Sequence, residues 1–575
     1  MNDFKEQWSD RVLGALKSIA AEKGVDASGF ASRMSVGKPP KSDMGDLSFP
    51  LFPYAKDLRM GPPQIATQVA AILGDEANAA GPYVNVRIDR AAALDVVLKA
   101  IEKAGDQWGC GDELAGRKVM VEFSSPNTNK PLHLGHLRND ILGESCARIL
   151  AARGAEVQKV NLVNDRGVHI CKSMLAYQKF GEGETPESLG VKSDRYVGDL
   201  YVKFAQWAKE DKNAESMAQT MLQDWENGDE DVRALWKMMN GWALSGIQTT
   251  YERTGVSFDR IYRESETYLL GKDKVLEGLE KGVFYTHEDG SVRMDMSDIG
   301  LDTKVLLRSD GTSVYMTQDL GTAISRHDEW PFDQLIYVVG SEQEYHFKVL
   351  FHALKKLGFQ WAERLRHLSY GMVNLPEGKM KSREGTVVDA DDLIDELAAL
   401  SLAEMKEKGR DEVITDAKMT AEKIAVAALH YFLLQVSPSK DMIFNPQESL
   451  SFTGNTGPYL QYMVARITGL TAKAAQMDGV ANAALLVRDD EWDLGRRLSE
   501  FPDLVARAAE KLDPSILATG LYEIAKDFSR YYHDVPIAVA DDVNLAASRM
   551  ALAHAVLSTL KSGFSLLNIP YVEAM

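Results

Sequence analysis

The sequence predicts a multidomain α/β protein: a doubly wound parallel sheet with a helical insertion, between a small N-terminal α/β domain and a C-terminal all-α domain. Three observations carry that expectation. From about residue 114 strand patterns alternate with helix patterns, residues 180 to about 290 are polar, helical and rich in Trp and Met, and beyond about 390 the pattern is helical almost throughout. At 575 residues the chain is too long for one core. The expected domains are 1–112, 113–415 with the insertion at about 180–300, and 416–575.

In the first region a helix at Phe4–Lys23 leads to Gly45-Asp46-Leu47-Ser48-Phe49-Pro50-Leu51-Phe52-Pro53-Tyr54. A second helix, Pro63–Leu73, precedes Gly81–Ile88, whose alternation predicts a strand. Phe49, Phe52 and Tyr54 suit a small core and equally suit stacking on an unpaired base. No catalytic constellation is visible there.

The second region opens with a strand, Lys118–Phe123, a loop, Ser125–His136, and a helix from about Leu137 to Arg153 stopped by Gly154. A second strand, Glu156–Val163, completes a right-handed βαβ start and ends at Asn164-Asp165-Arg166-Gly167. A loop feeding a helix N-terminus is suited to phosphate, because the first turn leaves unpaired N–H groups and a partial positive charge. Gly135 lets a ligand approach the backbone, and His133 and His136 can hold a triphosphate and stabilise developing charge.

The second half of the sheet opens with a hairpin signal: Val305–Arg308, the turn Ser309-Asp310-Gly311, then Ser313–Met316. A helix at Asp319–His327 and a buried-type strand at Gln334–Val339 follow. Next comes an amphipathic helix with Phe347, Leu350, Phe351, Leu354 and Leu357 on one face, ended by Gly358. The run Leu368–Leu375 reads as the last strand, and Gly378-Lys379-Met380-Lys381-Ser382-Arg383-Glu384-Gly385 hangs from its carboxyl end. Both loops should therefore share one rim, although 246 residues separate His133 from Lys379. In the third region Leu552, Val556, Leu560, Phe564 and Leu567 recur at helical spacing and are core.

Composition narrows the class. Hydrophobic content of 45% and charged content of 26% are ordinary for a globular protein. No apolar run reaches the roughly 18 residues of a membrane span, and the N-terminus lacks a basic-then-apolar signal layout. Cys110, Cys146 and Cys171 are scattered, supporting neither a disulfide framework nor a cysteine zinc site. A cytoplasmic protein without a membrane partner is expected. The net charge of −19 argues mildly against a nucleic-acid partner, but an acidic protein can carry a local basic face.

The two loops together resemble the HIGH and KMSK signatures of class I aminoacyl-tRNA synthetases. The longer wording, SPNTNKPLHLGHLR at 125–138 and GKMKSREGTVV at 378–388, resembles the arginyl-tRNA synthetases in particular. GDLSFPLFPYAK and AGPYVNVRI are similar to that family's extra N-terminal domain, which contacts the tRNA elbow. TGPYLQYMVARI, FSRYYHDVPI and the closing IPYVEAM are similar to its helical anticodon-binding domain. The resemblance implies a Rossmann-like catalytic domain and activation of L-arginine by ATP, with Mg²⁺, to arginyl-adenylate and pyrophosphate. It further implies transfer to tRNA(Arg), a monomer, and no protein-bound structural metal.

Activation joins a carboxylate to the α-phosphorus of ATP, so the protein must align reactants and neutralise phosphate charge without supplying a nucleophile. The resemblance places His133, Gly135 and His136 beneath the triphosphate and Lys379, Met380 and Lys381 above it. The usual second signature lysine is Ser382 here, and Lys130, just upstream of the histidines, is assigned to the phosphates in its stead. For arginine the resemblance points to Glu122, Asn127, Tyr315, Asp319 and Gln343. Asp319 serves the guanidinium, a planar fork best matched by fixed carboxylates and hydroxyls. Tyr315 packs and hydrogen-bonds the side chain, and Glu122 and Asn127 take the α-amino and carboxylate end. His346 is expected near the adenine or ribose. Tyr459, Tyr462, Arg466, Arg530 and Tyr531 are candidates for tRNA contact.

Alternatives are a class I synthetase for another amino acid and a non-catalytic tRNA-binding paralogue. The isoleucine, valine and leucine enzymes need an editing insertion that the spacing leaves little room for, and a cysteine enzyme should show a zinc site. Small HxGH nucleotidyltransferases lack a helical C-terminal half. Paralogues commonly lose motif residues, and here His133, His136, Lys379 and Asp319 are present.

Overall fold

The computed structural model describes residues 2–374, 388–407, 409–410, 414–474, 479–537 and 542–575. Two compact units emerge from its contacts. One comprises Gly109–Ala465, Asp503–Tyr522 and Lys561–Met575; the other comprises Met1–Trp108, Arg466–Pro502 and Glu523–Leu560.

The first unit is built on a five-stranded sheet. Its order is Leu365–Tyr370, Gln334–Gly340, Lys118–Glu122, Glu156–Val163, Arg260–Arg263, and every neighbouring pair is parallel. Chain order runs outward in one direction from Lys118–Glu122 and in the other from Gln334–Gly340. That reversal makes the carboxyl edge between these two strands the switch point, where doubly wound sheets open a crevice. The core beneath it joins Met120, Val160, Leu335 and Tyr337 of the sheet to Leu320, Ile324, Leu350 and Leu354 of helices Tyr315–Glu329 and Glu344–Lys356. Each buried Leu or Ile there contributes roughly 1.5–3 kcal/mol of apolar burial.

Four expectations change in detail. The first helix runs Leu134–Ala152, starting three residues before the expected Leu137, so the histidine motif is its first turn and not a preceding loop. The insertion is helical through Ser193–Glu210, Ala214–Asn227 and Glu230–Thr254, around Val197, Leu200, Phe204 and Met239. It then yields the edge strand Arg260–Arg263 and an antiparallel sheet of Tyr285–Thr286, Val292–Met294 and Lys304–Leu307. Only Tyr262 of the edge strand is buried, so its sequence lacks the apolar alternation of a central strand.

The hairpin keeps one bridge, Leu307 to Ser313, and the chain then turns into helix at Tyr315. Thr317 causes this: its hydroxyl donates to the Leu306 carbonyl and accepts from Val314 N–H, closing the helix start. The last sheet strand ends at Tyr370, where Gly371 N–H donates to the Pro438 carbonyl at 2.9 Å and packs so closely on Lys440 that a Cβ would stand 2.5 Å from its backbone. Val373–Asn374 pairs instead with Met442–Ile443. Lys379, Met380 and Lys381 lie outside the described residues.

In the second unit a three-stranded antiparallel sheet, ordered Leu47–Pro50, Tyr83–Val86, Ala77–Ala80, packs with helix Pro62–Leu73, which packs in turn on helix Asn2–Glu22. Phe49 and Tyr54 are fully buried core aromatics. Phe52 is exposed and meets exposed Tyr83 edge-on, ring centroids 5.2 Å apart. The small domain is joined to helix Asp489–Ser499 by Arg90, 2.8 Å from Asp489, and by Trp108, whose indole donates to the Leu498 carbonyl at 3.1 Å. Among the described residues no helix is long and apolar enough to cross a membrane.

Candidate active site

The first strand stops in a strained turn. Ser124 and Ser125 hold φ of 73° and 49°, a left-handed conformation costly for side-chain-bearing residues. Neighbours hold it there. Ser124 N–H donates to Asn139 at 2.6 Å, Ser125 N–H to Asn161 at 3.1 Å, and the Ser124 hydroxyl meets the Tyr251 hydroxyl at 2.6 Å. The chain then crosses the carboxyl edge, where Thr128 N–H donates to the Asn164 carbonyl at 3.2 Å and Asn164 N–H to that of Pro126 at 2.9 Å.

At the end of this crossing the two histidines cap the helix. His133 is the N-cap, and its Nδ1 accepts the Gly135 N–H at 3.1 Å. Its own N–H donates to Nδ1 of His136 at 3.0 Å, and the rings lie against each other, tilted by 34° with centroids 3.8 Å apart. With both Nδ1 atoms accepting, the proton of each neutral ring sits on Nε2. The rings are neutral at physiological pH. Burial and then nearby Lys130 press His133 down to about 3. His136 is held well below its usual value by burial, with His133 and Lys130 adding. Burial also lowers the half-buried Lys130 amine. The result is two Nε2–H donors beside a helix N-terminus and a lysine.

At the switch point lies a cavity of about 180 Å³ lined by Glu122, Asp319, Arg326, Tyr337, Gln343 and His346. Asp319 meets His346 with 2.6 Å between Oδ2 and Nε2. Glu122 accepts a hydrogen bond from Nη1 of Arg326, and both side chains are buried. Burial pushes the Glu122 carboxyl up, and the Arg326 charge pulls against it. Close by, Glu264 begins the short helix after the edge strand, and its carboxyl is pushed up to about 7. Burial is the main cause, Arg166 opposes it, and Asp165 and Asp319 add to it. Asp165 fixes this corner by accepting from Ser265 N–H at 2.9 Å and its hydroxyl at 2.8 Å.

The structure thus gathers Glu122, Asp319, Gln343 and His346 around one cavity. His346, expected near the adenine or ribose, faces Asp319. Asp319 sits in the second helical turn, not the first, because the helix starts at Tyr315. Tyr315 is 76% exposed at that start, one turn above Asp319 and outside the cavity lining. Asn127 is exposed in the crossing segment, bridged to Asn164, and also outside it. Arg326 and Glu264 were missed. Arg326 lies seven residues after Asp319, two turns along the same face, a signal that helical spacing carries. Glu264 follows a strand that was not recognised.

Of the RNA candidates, Tyr531 is buried, and its hydroxyl donates to Glu491 at 3.0 Å beside Arg549 at 2.9 Å. It hydrogen-bonds to the core ion pair of Glu491 and Arg549 and shows almost no surface to a ligand. Arg466 lies 4.2 Å over the Tyr532 ring, Tyr459 packs 5.8 Å from Tyr522, Tyr462 is half-buried, and exposed Arg530 is 3.2 Å from Asp527. A larger cavity, about 890 Å³, opens at the amino-terminal edge of the sheet beside Arg117, Gln334 and Arg364. Ligands in doubly wound sheets bind at the carboxyl edge, so the smaller cavity is the candidate.

Comparison with known proteins agrees over the whole chain. Residues 106–446 match the family described as tRNA synthetases class I (R), catalytic domain. Residues 6–88 match the arginyl tRNA synthetase N terminal domain, and 460–575 the DALR anticodon binding domain. The chain is 55% identical to an arginine–tRNA ligase of Treponema denticola and 51% identical to one of Treponema pallidum, each alignment covering 100% of both chains. The solved arginyl-tRNA synthetase of Thermus thermophilus superposes with a TM-score of 0.81 at 27% identity, covering 98% of this chain and 99% of that one. That of Plasmodium falciparum, at 20% identity and a TM-score of 0.76 over 99% of each chain, shares the fold. With its catalytic, N-terminal and anticodon-binding regions all matched, the chain belongs to the class I arginyl-tRNA synthetase family.

Proposed function

We propose that this chain is an arginine–tRNA ligase that activates arginine with ATP to arginyl-adenylate, releases pyrophosphate and transfers the arginyl group to the 3′ end of tRNA(Arg). The observation that carries this reading is Asp319 facing a cavity at the switch point of a sheet whose first helix opens with His133 and His136.

The chemistry follows from the geometry. The arginine guanidinium pairs with Asp319, with the Glu264 carboxyl nearby, and Glu122 and Gln343 take the α-ammonium end. Asn127 and Tyr315 complete the site from the exposed rim. The arginine carboxylate attacks the α-phosphorus of ATP in line with the departing pyrophosphate. His133 and His136 donate Nε2–H bonds to the phosphates, Gly135 gives them backbone access, and Lys130 supplies positive charge. Lys379, Met380 and Lys381 act from the facing loop. ATP enters as its Mg²⁺ complex, a substrate and not a resident metal. Tyr459, Tyr462, Arg466 and Arg530 serve tRNA. The enzyme works as a monomer in the cytoplasm.

The test is aminoacylation of total tRNA with each of the twenty amino acids, with pyrophosphate exchange measured with and without tRNA. Charging by arginine alone is expected. Charging by another amino acid overturns the pocket, and tRNA binding without charging overturns catalysis.

A further inference from the structure

The arginine pocket contains a guanidinium of the protein's own. Arg326, in the last turn of helix Tyr315–Glu329, is 1% exposed, and Nη1 donates to Oε2 of Glu122. Its guanidinium carbon lies 4.6 Å over the Tyr262 ring. Nε and Nη2 are buried and make no hydrogen bond of good geometry among the described residues, with only the Tyr337 hydroxyl close to the guanidinium. Glu122 ends the strand that runs straight into the strained Ser124–Ser125 turn and the histidine helix.

A buried arginine using one arm of its fork is an unusual expense for a fold. Deprotonation is closed to it, and isolated donors in a dry site cost stability. A purely structural purpose would be met better by apolar packing, because buried ion pairs are often no more stabilising than hydrophobic replacements. The neighbours suggest another purpose. Glu122 and Asp319 are carboxylates lining one cavity, and the Asp319 charge raises the cost of charge on Glu122. With Arg326 in place Glu122 is neutralised from behind, which leaves Asp319 as the carboxylate of that cavity without a fixed guanidinium partner.

We propose that Arg326 is a positioning residue of the arginine pocket: it anchors Glu122 from its buried side, so that this carboxylate faces the substrate's α-ammonium while Asp319 is left to the substrate's guanidinium. The proposal rests on the reading of this cavity as the arginine site. It separates the two ends of a substrate that carries two cationic groups. A pocket with two unassigned carboxylates could bind arginine reversed, whereas one blocked by an internal guanidinium at its deep end cannot place a second guanidinium there. Arg326 thus selects orientation by like-charge exclusion. The titratable and charged groups around Glu122 are Arg326 and Asp319 from one helix and Tyr337 from the adjacent strand; Tyr262 of the edge strand lies against Arg326, and His346 of the following helix lines the same cavity.

Steady-state aminoacylation of Arg326→Met, Arg326→Lys, Glu122→Gln and the Glu122→Gln, Arg326→Met double variant tests this in the full chain. Arg326→Met should raise the arginine KM roughly 10- to 100-fold with the ATP KM unchanged, and Arg326→Lys should recover part of the loss. In Arg326→Met the arginine KM should also climb more steeply than in wild type as pH is lowered, because Glu122 then gains a proton unopposed. The double variant should lose that climb and show no more than about a threefold change from Glu122→Gln alone. An unchanged arginine KM in Arg326→Met overturns the proposal, as does an equal loss in the Glu122→Gln background. If Arg326→Met does not fold, the pH profile of Arg326→Lys against wild type decides, and identical profiles with equal KM overturn it. Should Asp319→Asn and Glu122→Gln both leave the arginine KM intact, the cavity is not the arginine site, and that reading falls independently.

Discussion

His346 reaches from the first turn of helix Glu344–Lys356 to Asp319 on helix Tyr315–Glu329, with 2.6 Å between Nε2 and Oδ2. A guanidinium entering the cavity therefore meets a carboxylate already held in place, and shares it with the imidazole or takes it over. Fixing an acceptor before binding lowers the ordering cost of the pair.

Asp319→Ala removes that acceptor. The arginine KM should rise by roughly two orders of magnitude or more, in line with losing one partner of a desolvated charge pair. The ATP KM should stay close to wild type. Equal arginine KM values in the two proteins would sink the pocket.

His133→Asn separates capping from catalysis. Asparagine is among the best N-cap residues, so the helix start survives and thermal stability should change by less than about 1 kcal/mol. The Nε2–H donor is lost, and kcat should fall roughly 100-fold, the scale of removing one preorganised donor. A stable variant with wild-type pyrophosphate exchange would show that the ring does not touch phosphate.

Stability should depend on pH through these same rings. An unfolded histidine titrates near 6.5, whereas His133 is pressed to about 3 and His430, buried against the Asn568 carbonyl, to about 4. The folded form thus binds fewer protons, so stability is complete above about pH 6.5 and drains away as pH falls toward the folded values. Each such group adds a slope approaching about 1.4 kcal/mol per pH unit. Urea midpoints taken from about pH 7.5 to about pH 5 should fall, and the slope should flatten in His133→Asn and His430→Asn. Unaltered slopes in both variants refute this.

Lys130→Ala should slow pyrophosphate exchange while tRNA affinity holds. The amine is half-buried next to His133 and His136, and its charge acts on both rings. A variant that lost tRNA affinity alone would make Lys130 an RNA contact.

Tyr531→Phe should leave the tRNA KM unchanged and cost about 1 kcal/mol in stability, the worth of one buried hydrogen bond, here to Glu491. A selective loss of tRNA affinity would return Tyr531 to the RNA surface.

Much of this architecture could be read from residue patterns because the relevant signals are local. Val119–Val121 and Leu335–Val339 are continuous apolar runs, Val157, Val160, Leu162 and Val163 mark the strand between polar residues, and the glycines at 154 and 358 end their helices in left-handed backbone. The edge strand Arg260–Arg263 buries one side chain, so it carries too little hydrophobic signal to be seen. Tyr315 looked like a strand residue because Asp310-Gly311 is a strong turn cue, and the decisive Thr317 to Leu306 contact is tertiary. Glu122, Asp319 and Gln343 were recognisable through family resemblance, while Arg326 and Glu264 emerged only once helix faces and strand ends were in place. Burial was the least legible property. Tyr531 resembles a surface aromatic until Glu491 and Arg549 are seen around it.

The reciprocal capping of His133 and His136 has a chemical cost and a chemical benefit. Each Nδ1 lone pair is spent on a backbone N–H. Protonating either ring there would turn an acceptor into a donor and unfasten the helix start. The imidazoles are thereby withdrawn from proton traffic and behave as two additional amide-like dipoles, prolonging the row of N–H groups past the end of the helix. Catalysis on this rim has to proceed with no proton shuttle from its histidines, and carboxylate attack on phosphorus with pyrophosphate leaving is a reaction that needs none.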